Sequence, residues 1–158
     1  SYRSLVQTAA DGFCELLQSV LSGFNMMPGN EQTQQMLRYS NDGFPKVVDY
    51  LYDHFDEFKL LLTSGENSVY QEFIHRVVEL DTKCTVKYIE ASGNDAITSG
   101  RLTPELNHLL SSAFYTGMFE VIIHDMPKAQ ALEHIRKMRR FYTAGWQTIF
   151  TADGGDVV

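Results

Sequence analysis

From Leu5 onward, apolar residues at Val6, Ala9, Ala10, Phe13, Leu16, Leu17, Val20, Leu21 and Phe24 recur at spacings of three and four. That period lays them along one side of an α-helix. The stripe stops at Asn25-Met26-Met27-Pro28-Gly29-Asn30, where Pro28 lacks a backbone donor and Gly29 relaxes the chain. A short polar helix is expected over Glu31 to Tyr39. After the turn signal Asn41-Asp42-Gly43-Phe44-Pro45, residues Val47, Val48, Leu51, Phe55, Phe58 and Leu62 form a second stripe, which predicts one helix to about Leu62. Asp49, Asp53, Asp56 and Glu57 fall largely outside it.

Ser64-Gly65-Glu66-Asn67-Ser68 ends that helix and offers side-chain caps for the next, which carries Tyr70, Phe73, Ile74, Val77, Cys84, Tyr88 and Ile89. The segment 92–101, with Gly93 and Gly100, is read as the longest loop. Thr103-Pro104-Glu105 then starts a helix, Pro being suited to a first turn whose N–H groups have no partner. In this penultimate helix Leu106, Leu109, Leu110, Ala113, Phe114, Gly117, Met118, Phe119, Val121, Ile122 and Ile123 surround most of the wheel. In the last one Ala131, Leu132, Ile135, Met138, Phe141, Tyr142, Gly145, Trp146, Ile149 and Phe150 cover an arc of roughly 180 degrees. No strand-like alternation, internal repeat or low-complexity tract interrupts the pattern. The expected architecture is all-α, a helical bundle of about six helices in a single domain over residues 1–158.

A helix that is apolar nearly all round must be covered on more than one side. In a chain of this size a second copy is the expected cover, giving a homodimer joined through a four-helix interface. The residues assigned to it are Leu106, Leu110, Ala113, Gly117 and Val121 from one helix, and Ile135, Met138, Tyr142, Gly145, Trp146 and Ile149 from the other. Close approach of backbones is one reason to tolerate Gly117 and Gly145, since a glycine inside a helix costs about 1 kcal/mol relative to alanine. The competing reading is an intramolecular core with a few loose glycines.

At 158 residues the chain can bury an ordinary core without a metal or disulfide staple. Its formal net charge of −7 repels a phosphate backbone. The basic cluster Arg136, Lys137, Arg139 and Arg140 is read as a solvated polar arc rather than a nucleic-acid patch. Cys14 and Cys84 fall within apolar stripes, as thiols acting as small hydrophobes would, which favours a reducing, cytoplasmic setting. The longest apolar runs, Leu60 to Leu62 and Val121 to Ile123, fall far short of a membrane span, so no membrane partner is expected.

Candidate chemistry is sparse. Glu72-Phe73-Ile74-His75 has the spacing used in helical di-iron centres, but such a site needs a second copy on another helix. Neither Glu120 with His124 nor Glu133 with His134 supplies one, and an exposed pair is the simpler reading. His54 and His124 lie near helix ends, where an imidazole can meet terminal carbonyls or a neighbouring acid. Ser111 and Ser112 lack a nucleophile-elbow context and are expected to bond back to the preceding turn. Without a Walker loop or dinucleotide fingerprint, no catalytic residue, metal or cofactor is assigned. The aromatic and methionine content carries more information. Phe24, Met26 and Met27 at the broken helix end are expected to join Tyr50, Phe55, Phe58, Tyr70, Phe73, Val77, Tyr88, Phe114 and Met118 around a cavity. Apolar walls with a few hydroxyls suit a small, mostly apolar ligand. The alternative is that these residues are plain core.

The stretch Ser111-Ser112-Ala113-Phe114-Tyr115-Thr116-Gly117-Met118-Phe119-Glu120-Val121-Ile122-Ile123-His124-Asp125-Met126-Pro127, followed by Phe141-Tyr142-Thr143-Ala144-Gly145-Trp146, resembles the last two helices of tetracycline-repressor (TetR) family regulators. Leu51-Tyr52-Asp53-His54-Phe55-Asp56-Glu57-Phe58-Lys59-Leu60-Leu61-Leu62 is similar to that family's middle helix. The resemblance implies an effector-binding and dimerisation domain of a bacterial transcriptional regulator. Residues 1–24 would then be the helix leading in from a three-helix DNA-binding segment, and no residue of this sequence is assigned to that segment. It also implies that an effector held between the middle helices alters the separation of two DNA readers. Entry is expected near Met26-Met27-Pro28, with contacts to aromatics around 50–58 and 70–88. The alternatives are a helical-bundle enzyme or metal carrier built on Glu72 and His75, and an interaction module without a ligand.

Overall fold

The computed structural model describes residues 2–25, 43–64 and 67–152. Six helices account for nearly all of them: α1 (Tyr2–Asn25), α2 (43–53), α3 (Phe55–Thr63), α4 (Asn67–Ser92), α5 (Pro104–Ile123) and α6 (Lys128–Phe150). No strand occurs among the described residues. The all-α expectation therefore holds, while the short helix expected over 31–39 lies outside the described residues.

α1 packs on α4 and α3, α5 packs on α4 and α3, and α6 lies along α5. The core between them is centred on Phe13, whose ring meets Phe73 at 5.5 Å, Phe119 at 5.6 Å and Phe58 at 5.8 Å in edge-to-face geometry. Such pairs set the positive edge of one ring against the negative face of another. Val47, Leu51, Val77, Met118 and Ile122 fill the space around the rings, all fully buried.

The helix expected to run unbroken to Leu62 is divided at His54, whose backbone (φ −118°, ψ 36°) leaves helical geometry. Hydrogen bonds still cross the break, from His54 N to Tyr50 O and from Phe58 N to His54 O. The division lets Tyr50 and Phe58 converge with ring centroids 6.0 Å apart. Eight residues of straight helix would place their backbones about 12 Å apart. Tyr50 is held there by donating its hydroxyl to Ala9 O at 2.9 Å.

α5 begins with Thr103 as its cap, the side chain accepting from Leu106 N at 3.2 Å, and with Pro104 in the first turn. It ends in a double-bonded stop, with Met126 N donating to Val121 O and Asp125 N to Ile122 O. That pattern requires a left-handed residue, and Asp125 (φ 54°) occupies it where glycine is usual. α2 and α3 pin the turn. Tyr52 donates its hydroxyl to Met126 O at 2.6 Å, while Lys59 Nζ bonds Ile123 O at 2.6 Å and pairs with Asp125 at 3.0 Å.

The loop after α4 is fastened to the far end of α6. Gly93 and Gly100 take positive φ angles, and Asn94 Oδ1 accepts from Ala96 N. Asn94 Nδ2 donates to Phe150 O and Arg101 Nε to Ile149 O, each at 2.8 Å, with Arg101 also paired to Asp95. Terminal carbonyls of α6 thus gain donors that the helix cannot supply.

Candidate functional site

A cavity of about 170 Å³ opens between the last turns of α1, the start of α2, and the facing sides of α4, α5 and α6. α4, α5 and α6 each contribute residues spaced three or four apart, the interval that returns a side chain to the same face. α1 gives Val20 and Leu21, α2 gives Phe44, and α4 gives Asp81, Cys84, Thr85 and Tyr88. α5 supplies Leu110, Ser111, Phe114 and Tyr115, and α6 supplies Arg139, Tyr142, Thr143, Trp146 and Phe150.

Rings make most of the wall. Phe114 meets Tyr142 at 5.2 Å and Phe44 at 5.9 Å, Tyr88 meets Phe150 at 5.2 Å, and Trp146 stacks on Phe150 at 5.5 Å. Against them stands a small polar group. Tyr115 donates its hydroxyl to Asp81 Oδ1 at 3.0 Å. The Ser111 hydroxyl, on a residue only 2% exposed, has no partner of hydrogen-bonding geometry among the described residues. It still lies close enough to hold the Asp81 carboxyl down, as Tyr115 does, but desolvation outweighs both and leaves that pKa raised. Asp81 is half-buried as a residue, and desolvation is the dominant influence on its carboxyl. No lysine, arginine or histidine forms an ion pair with it among the described residues. Burial pushes the Tyr115 phenol well above its ordinary value, and the neighbouring carboxylate adds to the shift. Arg139 lies with its guanidinium 4.3 Å from the centre of the Phe44 ring, and desolvation lowers its pKa to about 10.

Of the residues expected around a cavity, Tyr88 and Phe114 line it. Phe58, Phe73, Val77 and Met118 do not, because they are locked into the central core. Tyr50, Phe55 and Tyr70 pack at the edge of that core. The Phe24 side chain and the expected entry at Met26, Met27 and Pro28 lie outside the described residues. The expected interface also divides. Leu110, Tyr142 and Trp146 face the cavity, while Val121 and Ile135 are buried in the chain's own core and are closed to any partner. Leu106 and Ile149 pack on a second cluster of Tyr88, Ile89, Ala96 and Leu102. Gly117 admits the Met138 methyl between α5 and α6, 3.2 Å from where a β-carbon would sit. Ala113 and Gly145 are exposed, and beside them Leu109 (63% exposed) and Phe141 (76%) present large apolar side chains outward.

Two cavity residues that sequence reasoning missed carry a signal in the sequence. Asp81 interrupts the stripe Val77, Cys84, Tyr88 at its own four-three-four spacing, and Arg139 does the same to Ile135, Tyr142, Trp146. A charge in phase with an apolar stripe marks a polar group directed inward. Arg139 thus leaves the polar arc expected for it, while Arg136 and Lys137 remain there, paired with Glu133. Ser111 does not bond back to its preceding turn, whereas Thr116 does, to Ser112 O. Glu72 and His75 are both exposed, His75 facing Glu79 at 3.5 Å, and no cluster of three metal-ligating side chains occurs among the described residues. His124 closes α5 and pairs with Glu120 at 2.8 Å. No described helix is long and apolar enough to cross a membrane. Comparison with protein-family models, curated proteins and solved structures finds no match for this chain.

Proposed function

We propose that the chain is the effector-binding and dimerisation domain of a TetR-like transcriptional regulator, with DNA reading assigned to a segment outside these residues. The observation that carries the reading is the position of the cavity. Its occupant would touch the end of α1 at Val20 and Leu21 and, on the opposite wall, the inner side of α6. The outer side of the α5–α6 pair presents Leu109, Ala113, Phe141 and Gly145 to a second copy. One bound molecule would then bias both the leading helix and the dimer face, and it can shift an equilibrium only as far as its affinities for the two arrangements differ.

Two measurements test this. Light scattering at micromolar concentration is expected to give twice the chain mass. Small aromatic compounds are expected to raise the melting temperature in proportion to the logarithm of their concentration. A strictly monomeric chain, or one that no aromatic compound stabilises, would contradict the reading. Translating the coding sequence upstream of Ser1 examines the regulatory part, where a basic helix-turn-helix segment is expected.

A further inference from the structure

Resting on the reading of this cavity as an effector site, we infer that the ligand is an organic cation with a flat apolar body, an arylalkylammonium in its simplest form. Asp81 receives the ammonium, Ser111 accepts one of its N–H groups, and the aromatic walls enclose the rest.

Three observations converge on this chemistry. Asp81 is a carboxylate at a ring-lined cavity with no cationic side chain paired to it among the described residues. Removing such a group from water without a countercharge is costly, and a bound cation offsets that cost. Ser111, on the same wall and almost fully buried, lies beside the Asp81 carboxyl, yet its hydroxyl makes no hydrogen bond of good geometry among the described residues. A buried hydroxyl lacking a partner is uncommon in a folded chain and marks a place where a bound group completes the bonding. Finally, the walls include Trp146, Tyr142 and Phe114, whose ring faces attract positive charge.

An anionic ligand is the opposite solution, and Arg139 is the side chain that would favour it. Its guanidinium, however, is already set over the Phe44 ring, and an anion in the cavity would face Asp81. A neutral ligand would leave the carboxylate as it is. The net charge of −7 adds a general attraction for cations.

Isothermal titration at pH 7 with tryptamine, tryptophol and indole-3-acetate holds the ring constant and takes the polar end of the side arm from cation to neutral to anion. Tryptamine is expected to bind roughly 10- to 100-fold more tightly than tryptophol, the range expected of a hydrogen bond to a charged group. Asp81→Asn is expected to abolish that preference, and Ser111→Ala to weaken tryptamine severalfold with less effect on tryptophol. Equal or tighter binding of tryptophol or indole-3-acetate overturns the cation assignment while leaving an effector cavity in place. Failure of all three to bind overturns it as well, and the scattering mass then judges the dimer independently. The wild-type ranking needs no variant, so it decides the matter even if a substituted chain fails to fold.

Discussion

Gly12 shows how one missing side chain shapes the core. A β-carbon there would overlap the Tyr50 hydroxyl, which reaches past α1 to bond Ala9 O. Gly12→Ala gains helix propensity but displaces that ring. It is expected to destabilise the chain by roughly 1–3 kcal/mol in urea unfolding, as overpacking does. Tyr50→Phe in the same chain should restore part of the loss. Phe13→Ala removes the ring that three others meet edge-on and is expected to cost about 3–5 kcal/mol in the same assay. Asp81 behaves differently because its pKa is raised in the folded chain. Its ionised form is disfavoured there, so the stability linked to it is fully present below 3.8 and is lost as pH rises through the folded value. The unliganded Asp81→Asn chain should therefore melt above the wild type at pH 7, with the gap closing as pH approaches 4. An unchanged gap across that range would contradict the account. The sequence identified Phe13 as core from periodicity alone. It did not foretell the service of Gly12, because a glycine in phase with nothing carries no sign of what passes beside it.

Among the elements, helix existence was legible and helix boundaries less so. The stripe from Val47 to Leu62 keeps its period straight through His54, so nothing in residue spacing marks the division seen there. The stop after α5 was equally hidden, because Asp125 occupies a conformation for which glycine is the usual signal. The two long helices α1 and α4 are joined across their flanks by Arg76 and Asp11 at 2.6 Å, an arrangement that lowers the Asp11 pKa. Its stability contribution is present above 3.8 and lost as pH falls through the lowered value. Arg76→Met is expected to return that carboxyl upward in an NMR titration. The stability change should stay within about 1 kcal/mol, since the pair is half exposed.

At the scale of the whole molecule, the width of the apolar arcs on the last two helices resolves into two parts. Part of the excess lines a cavity within the chain, through Leu110, Tyr142 and Trp146, and part is presented outward at Leu109 and Phe141. Periodicity counts apolar positions on a wheel and has no means of telling a hollow from a partner. The outward part is the better place to test the proposed dimer. Gly117 sits against Met138, so a bulky residue there would disturb the fold itself. Phe141→Asp, by contrast, changes a side chain that touches little within its own chain. It is expected to turn a dimer into a monomer by light scattering while leaving the circular dichroism spectrum intact.

α6 is a beam fastened at its two ends. At its start, the turn is riveted by Tyr52 and Lys59, and at its finish Asn94 and Arg101 grip the last carbonyls. The cavity lies against the span between, where Arg139, Tyr142, Thr143 and Trp146 stand. A rod clamped at both ends and loaded at mid-span bows instead of swinging. The greatest excursion then falls near Phe141 and Gly145, so a molecule lodged behind the helix would be felt first on the outward face at its middle.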